Sequence, residues 1–396
     1  MSHFRSVTIV TACITTSAIG AGVFVLPVVL TGLTLFESLT IMAAYCAVMT
    51  IAAQVMVEIS LRFPQGANIR AIASQGLGRG SAFVAGLAFT LVFTTVFYSQ
   101  FCGLKQLFGI LQQDHQLLTY IMAMLTSLSL STLILGRLGA LSGLASALWI
   151  PLLSLSLFGL FDSSNNTVAT DFVNIEAMAI APQWLMVLPL CQACFSFHAI
   201  LPSLAKRTQF NRQVMVHSVY LAMPLIWLAY AGYLIAIRSR LDEAALTRLA
   251  NNSESTVQLV MKLSQLLDNH FSEILILLFF IAVLTSLQGL ALAASDFVKD
   301  QLKLNDNWVG NIQAAVVIFF VPLLMQNSNS DGFIYGMQLS VYGSSFIAII
   351  LPSLIAWRSR QICSDSYRFG HNKLLLSMML FGGVSILINV AHHSLN

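Results

Sequence analysis

The sequence predicts an all-α integral membrane protein of eleven transmembrane helices, and three observations carry that assignment. The chain of 396 residues is 57% hydrophobic but only 9% charged, against about 25% charged in soluble domains, and its mean hydropathy is +0.81. Apolar windows of about 20 residues, the length that crosses a bilayer as a helix, recur in order along the chain. Two of these windows are interrupted near their centres. Such a break leaves main-chain groups unpaired, and hydrocarbon tolerates it only where it lines a polar cavity. Together these features exclude a soluble enzyme with one apolar patch. The net charge of +3 does not point to nucleic acid. The six cysteines lie mostly inside apolar spans and imply no disulfide framework.

The first span covers 7–30, is broken by Gly20-Ala21-Gly22 and carries Pro27 beyond. Residues 1–5 lead straight into it. It is too long for a signal peptide and lacks a small-residue cleavage site, so none is expected. The second span, 35–60, holds Gln54 and Glu58 near its end. The connector 63–80 contains Pro64, Gly66, Gly76, Gly78 and Gly80, with a short helix expected over 68–74. The third span runs 81–107. The fourth and fifth, 117–135 and 139–161, are separated only by Gly136-Arg137-Leu138. The sixth, 184–204, breaks at Phe195-Ser196-Phe197-His198 between Pro189 and Pro202. The seventh covers 216–237. The polar stretch 241–270 follows, with Leu246, Leu249, Leu259 and Leu263 at roughly helical spacing. It reads as one or two amphipathic helices lying on the outer face. The last four spans are 273–294, interrupted by Thr285, Ser286 and Gln288, then 309–325, 332–357 and 373–392.

Orientation follows from Lys and Arg, which favour the cytoplasmic side of short loops. With the amino terminus inside, only Lys105, Arg238, Arg240, Arg248 and Lys262 of the 19 fall outside, and four of these sit in the long 238–270 loop. The expected topology is amino terminus cytoplasmic, carboxyl terminus periplasmic.

Each break has its own chemistry. Gly20 and Gly22 permit main-chain angles and close approaches that a Cβ forbids. A half-helix starting near Gly22 offers free amides and a positive dipole end to a carboxylate. Carbonyls freed over Ser17, Ala18 and Ile19 can accept an ammonium group. One break thus offers partners for both charges of an amino acid, and 7–30 contains no Asp, Glu, Lys or Arg. The alternative is close helix packing through small residues. Corresponding breaks in two halves of a multi-span chain point instead to a secondary transporter's substrate site. At the second break His198 is an intramembrane ionisable group, and imidazole titrates at about 6.5 when unperturbed. It reads either as a proton carrier or as a neutral ring bonded to a neighbouring helix.

Other polar groups are candidates for coupling: Glu58 in the second span, and Thr285 and Ser286 in the eighth, whose hydroxyls could hold a sodium ion or simply bond back to their own helix. Tyr98 is a candidate cap over substrate. Phe93, Phe97, Tyr98, Phe195 and Phe197 are candidates for an apolar pocket that takes a ring. Cys191 and Cys194 share a helix face, but without further cysteines nearby no metal site is expected. A channel would need repeated polar faces or rings of charge, and a membrane enzyme an Asp/His/Ser cluster; neither is present. No cofactor, nucleic acid or obligatory protein partner is expected beyond the bilayer and a small-molecule substrate.

Residues 18–27 (AIGAGVFVLP) resemble the first-helix signature of the hydroxy and aromatic amino acid permease family, which includes bacterial tyrosine, tryptophan and serine transporters. Residues 195–204 (FSFHAILPSL) are similar to its sixth-helix motif, and 285–300 (TSLQGLALAASDFVKD) to its eighth. The spacing of Glu58 and Pro64 resembles that family as well. The chain departs from the pattern at Ser196 and Ala199, where glycine is usual, and in the eighth span, where alanine replaces the second glycine. Because the family belongs to the amino acid–polyamine–organocation superfamily, the resemblance implies a single transporter domain of the leucine-transporter type. That fold is a 5+5 inverted repeat, here over about 7–161 and 184–357, with the eleventh helix 373–392 appended. It places substrate at Gly20, Ala21 and Gly22 and against Phe195, Ser196, Phe197 and His198. It implies import of an amino acid, tyrosine first, by proton symport and alternating access at a bacterial inner membrane. Tryptophan, serine or threonine, and sodium coupling, stand as alternatives.

Overall fold

A computed structural model describes residues 3–20, 22–63, 68–114, 122, 126, 130, 152–161, 183–250, 255–267, 269–326, 332–362 and 367–395. The described residues are helical, with no strand among them. The first span is the pair α1 (His3–Ile19) and α2 (Gly22–Val29), followed by α3 (Leu35–Arg62), the short connector helix α4 (Ile69–Leu77) and α5 (Arg79–Asp114). A short apolar helix α6 covers Leu152–Phe161. Then come α7 (Gln183–Cys194), a 3-10 turn (His198–Ile200), α8 (Leu201–Arg207) and α9 (Arg212–Arg238). The polar stretch forms α10 (Glu243–Ala250) and α11 (Ser255–Gln265). The chain ends with α12 (Asn269–Leu302), α13 (Trp308–Met325), α14 (Gly332–Ser344), a π turn (Ser345–Ile350), α15 (Leu351–Ile362) and α16 (Asn372–Leu395).

Among the described residues eight helices are long and apolar enough to cross a membrane, and α1–α2, bent by 41° at its break, makes a ninth. The expected fourth span, and the fifth as far as 151, lie outside the described residues apart from three isolated positions. Burial separates the spans by role. In Val187–Arg207, 78% of the most apolar stretch is enclosed, against 33% in α13 and 28% in α16. The second break is therefore sheathed in protein, as freed main chain in an apolar medium requires. The outer faces of α13 and α16 expose Val316, Phe320, Leu324, Leu380 and Leu387, the side chains that a lipid-facing surface needs.

Local sequence explains where the helices begin. Thr34 and Glu37 form a capping box at the start of α3, each satisfying a main-chain amide of the other. Asn68, Asn211 and Asn307 accept from the first-turn amides of α4, α9 and α13. Asn68 also donates to Asp300 at 3.1 Å, tying the connector helix to the end of α12. In the α12–α13 connector a hydrogen bond from Lys299 (2.7 Å) holds the Asp306 carboxyl below its ordinary pKa. At the other end of the first span, Arg238 donates to the carbonyls of Leu30 and Leu33, each at 2.8 Å, closing the turn that follows α2. Helices α10 and α11 pack against α2, so the polar stretch covers the end of the first span.

One buried ion cluster ties α3 to α15. The fully buried Glu58 carboxylate accepts from Arg360 Nε at 2.8 Å and Nη2 at 2.5 Å, and Arg62 lies 3.2 Å away. It also accepts the Phe369 amide at 2.8 Å. The carbonyls of Phe369 and Gly370 take remaining Arg360 protons, and Tyr367 O takes one from Arg62. Each nitrogen of the Arg360 guanidinium thus has an acceptor, the condition under which buried charge is tolerated. Removing one partner of such a pair costs about 3–5 kcal/mol. Arg360→Met should therefore lower the thermal midpoint of the detergent-purified protein by several degrees. Arg360→Met/Glu58→Leu should recover part of that loss, because no unpaired carboxylate remains. Strictly additive losses across this cycle would argue against the pair as the stabilising unit.

Candidate functional site

The first break arises at Gly20, whose φ of +35° lies in the left-handed region that side chains disfavour. A Cβ there would fall 2.8 Å from Ser286 Cβ on α12, so the main chain is pressed against the eighth span. The second break has a different origin. Helix α7 ends at Cys194, and Phe195 and Ser196 return their amides to Cys191 O and Ala193 O at 3.2 and 3.1 Å. Pro202 has no amide to reach back to the His198 carbonyl. The Leu201 amide takes it instead, and the chain enters α8 through a 3-10 turn.

A hydroxyl on the seventh span joins the two breaks. Tyr230 Oη lies 2.8 Å from Ala18 O, 3.2 Å from Ile19 O and 2.8 Å from Cys194 O. It donates its one proton among three carbonyls freed by the ends of α1 and α7. Its ring is 1% exposed and meets Phe195 edge-on at 5.1 Å. The place of Gly22 follows: a Cβ at that position would sit 2.8 Å from Tyr230 Oη and 3.1 Å from Cys194 Sγ.

Between the breaks lies a cavity of about 80 Å³. Ser17, Ala18, Gly20 and Gly22 line it from the first break, and Ala193, Cys194 and Ser196 to Ile200 from the second. Val92, Val96 and Gln100, spaced four apart on α5, form one wall. Met337, Ser340 and Ser344 on α14, which packs directly on α5, continue that wall, and Ser286 and Leu290 of α12 complete the lining. No Asp, Glu, Lys or Arg is among these described residues. The polar character comes from main chain, hydroxyls, one amide and one imidazole. His198, 1% exposed, holds its Nε2 3.0 Å from Met49 O, and its Nδ1 has no hydrogen-bond partner among the described residues. A ring nitrogen facing a carbonyl carries a proton, so Nε2 is the donor to Met49 O.

Of the residues singled out from sequence, Ser17, Ala18, Gly20, Gly22, Ser196, Phe197, His198 and Ser286 are brought together on this cavity. Ala21 lies outside the described residues. Others are placed elsewhere. Tyr98 packs on Gly332 and Gly336 of α14. Phe195 sits behind the break against Tyr230. Thr285 bonds back to Ala282 O at 3.0 Å and reaches Thr16 O at 3.4 Å. Glu58 belongs to the Arg360 cluster and is not in the lining. Phe93 and Phe97 are turned into an aromatic cluster with Phe89, Phe297 and Phe319, so Phe197 alone of the five proposed pocket aromatics lines the cavity. The reason is helical phase: one residue along α5 is a rotation of about 100°, which puts Val92 and Val96 on the cavity and Phe93 and Phe97 beside it.

Sequence reasoning passed over Tyr230 and the cavity-lining stripes of α5 and α14. The available signals were a tyrosine inside an apolar span, whose hydroxyl needs a partner when buried, and the recurrence of small or polar residues at spacings of three and four. The contact of Tyr230 with Gly22 yields a direct test. Gly22→Ala should lower the thermal midpoint by forcing a methyl against Tyr230 Oη. Tyr230→Phe, which leaves freed carbonyls without their donor, should cost about 1–3 kcal/mol by itself. The double variant should be less destabilised than the sum, since the oxygen that the methyl meets is gone.

A model of the tryptophan/tyrosine permease family matches residues 3–390. The tryptophan-specific transport protein of Haemophilus influenzae is 24% identical over 393 residues, 94% of this chain and 93% of that protein. The tryptophan-specific transport protein of Shigella flexneri is 27% identical over 377 residues, 92% of this chain and 90% of its own. The tyrosine permease of Enterobacter agglomerans is 22% identical over 398 residues, with 96% and 94% covered. With broken apolar spans, an uncharged buried cavity and a family match over almost its whole length, the chain belongs to the tryptophan/tyrosine permease family and is a permease, not an enzyme.

Proposed function

We propose that this permease is a secondary active transporter that imports an aromatic amino acid, tryptophan or tyrosine, by proton symport and alternating access. The observation that carries the proposal is the uncharged cavity between two helix breaks. The first turn of α2, starting at Gly22, directs amides and a helix dipole toward a carboxylate. Each carbonyl oxygen has two lone pairs, so Ala18 O and Cys194 O, both in lining residues, keep acceptor capacity for an ammonium group while bound by Tyr230. Phe197, Val92, Val96, Leu290 and Met337 supply apolar surface for a ring.

The remaining parts of the reading follow the same logic. Two five-helix inverted repeats, over about 7–161 and 184–357, would place the two breaks at corresponding positions, as alternating access around a fixed site requires. The Lys and Arg distribution supports a cytoplasmic amino terminus and a periplasmic carboxyl terminus in a bacterial inner membrane. His198 is the proton carrier: the residue is among those lining the cavity, and its Nδ1 has no hydrogen-bond partner among the described residues. Ser286 against Gly20 is where sodium coupling would act instead.

Cavity size favours a second reading. At about 15 Å³ per water, 80 Å³ holds roughly five waters, so a small hydroxylated amino acid enters with little rearrangement. An indole or phenol requires the walls to part, and Met337 is the flexible side chain placed to move. Uptake of labelled tryptophan, tyrosine and serine into proteoliposomes, with proton and sodium gradients imposed separately, decides between them. Tryptophan or tyrosine driven by protons, each inhibiting the other, is the expected result. Serine alone would establish the second reading, and no accumulation of any of them would sink both. His198→Gln should keep substrate exchange but lose accumulation driven by the proton gradient; undiminished accumulation would remove His198 from coupling.

A further inference from the structure

We infer that the groove where α15 passes to α16 is a binding site for the headgroup of an anionic phospholipid, whose acyl chain lies along the outer face of α16. This site is separate from the transport cavity and shares no lining residue with it.

Charge is the first observation. The open groove has a volume of about 830 Å³ and is lined by Arg360, Arg368, His371, Lys373 and Ser377 among others, with no acidic side chain among its described residues. Glu58 meets Arg360 from the protein side, but the same carboxylate also faces Arg62 at 3.2 Å. Two guanidinium groups thus share one carboxylate. Arg368 donates to a neutral group, Arg360 O, at 3.2 Å, and His371 and Lys373 are exposed. Asp365, the one acidic residue after Arg358, lies outside the described residues. Even with Asp365 and Glu58 set against Arg62, Arg358, Arg360, Arg368 and Lys373, the region keeps a positive excess.

What separates a lipid from a soluble anion is the continuation of the groove. Lys373, Ser377, Leu380, Val384 and Leu387 follow one another at spacings of three and four, so they share one face of α16, and all five are exposed. The first two line the groove, and the last three form an apolar stripe leading away from it. From Ser377 to Leu387 the helix rises about 15 Å, half of the roughly 30 Å hydrocarbon thickness and the depth of one leaflet. A phosphate at Arg368 and Lys373 therefore has a lipid-facing track for its chain, which a soluble anion does not use. The Lys and Arg distribution puts this end of α16 on the cytoplasmic side, where basic pockets at the ends of membrane helices suit anionic headgroups. A bound headgroup would also steady the segment entering α16, whose Phe369 amide and Phe369 and Gly370 carbonyls complete the Glu58–Arg360 cluster.

The test is native mass spectrometry of the delipidated, detergent-solubilised full chain, titrated with phosphatidylglycerol or phosphatidylcholine. Wild type should take its first phosphatidylglycerol about tenfold more tightly than its first phosphatidylcholine, given what basic groups contribute at an anionic lipid surface. Arg368→Gln/Lys373→Gln should erase that preference. Lys206→Gln/Arg207→Gln, which removes the same charge from exposed positions at the end of α8, should keep it. Equal loss in the two variants, or none in the first, overturns the inference, as does a wild type with no preference. If the first variant fails to fold, Ser377→Trp fills the groove from an exposed position and should abolish the tight site; a preference that survives it overturns the inference. Excess inorganic phosphate should leave the lipid in place, and complete displacement would make the occupant a soluble anion and overturn the lipid assignment.

Discussion

A main chain that leaves its helix inside an apolar bundle must find partners there, and the rest of this site depends on that requirement. Hydrocarbon supplies no hydrogen bonds, so each freed carbonyl or amide is either met by protein or turned toward a polar cavity. In this permease one tyrosine hydroxyl meets three such carbonyls, two at the end of α1 and one at the end of α7. Both breaks are thereby held against α9 and against each other. Gly22 is small because Tyr230 is there, and Phe195 is buried because it packs on the same ring. Ala18, Gly22 and Cys194, which meet that hydroxyl, also line the cavity.

The cavity walls obey a separate rule. Helices α5 and α14 approach closely through Gly332, Gly336 and Gly343, and small residues at such spacing permit that approach in membranes. The cavity is lined beside this contact by Val92, Val96 and Gln100 of one helix and by Met337, Ser340 and Ser344 of the other. Aromatic residues one position out of phase are carried into the packing between α5, α12 and α13. An abundance of phenylalanine in the third span accordingly says little about the pocket. What matters is which residues recur every four positions on the inward face.

Charge is handled away from the cavity. Glu58, Arg62 and Arg360 satisfy one another and the carbonyls of 367–370, linking α3, α15 and the segment that enters α16. The substrate site is left with dipoles and neutral side chains. This division suits a carrier whose ligand brings its own two charges, because a fixed ion in the cavity would bind one end too firmly and repel the other.

Sequence by itself determined the membrane class, the order of the nine described spans, the amphipathic cover after the seventh and the positions of both breaks. Those features are local: apolar length, glycine and proline act on the chain within a few residues of themselves. Eight of the residues it proposed do meet on one cavity, since the breaks define the cavity and the residues lie in the breaks. Tertiary structure alone decided the rest. That Glu58 pairs with Arg360, that Tyr98 and Phe195 turn away, and that Tyr230 and Gln100 belong to the site all depend on which face of one helix meets another. Those contacts join residues up to 302 positions apart. The helical period narrows a side chain's direction to a stripe. The partner it finds there is set only when the helices pack.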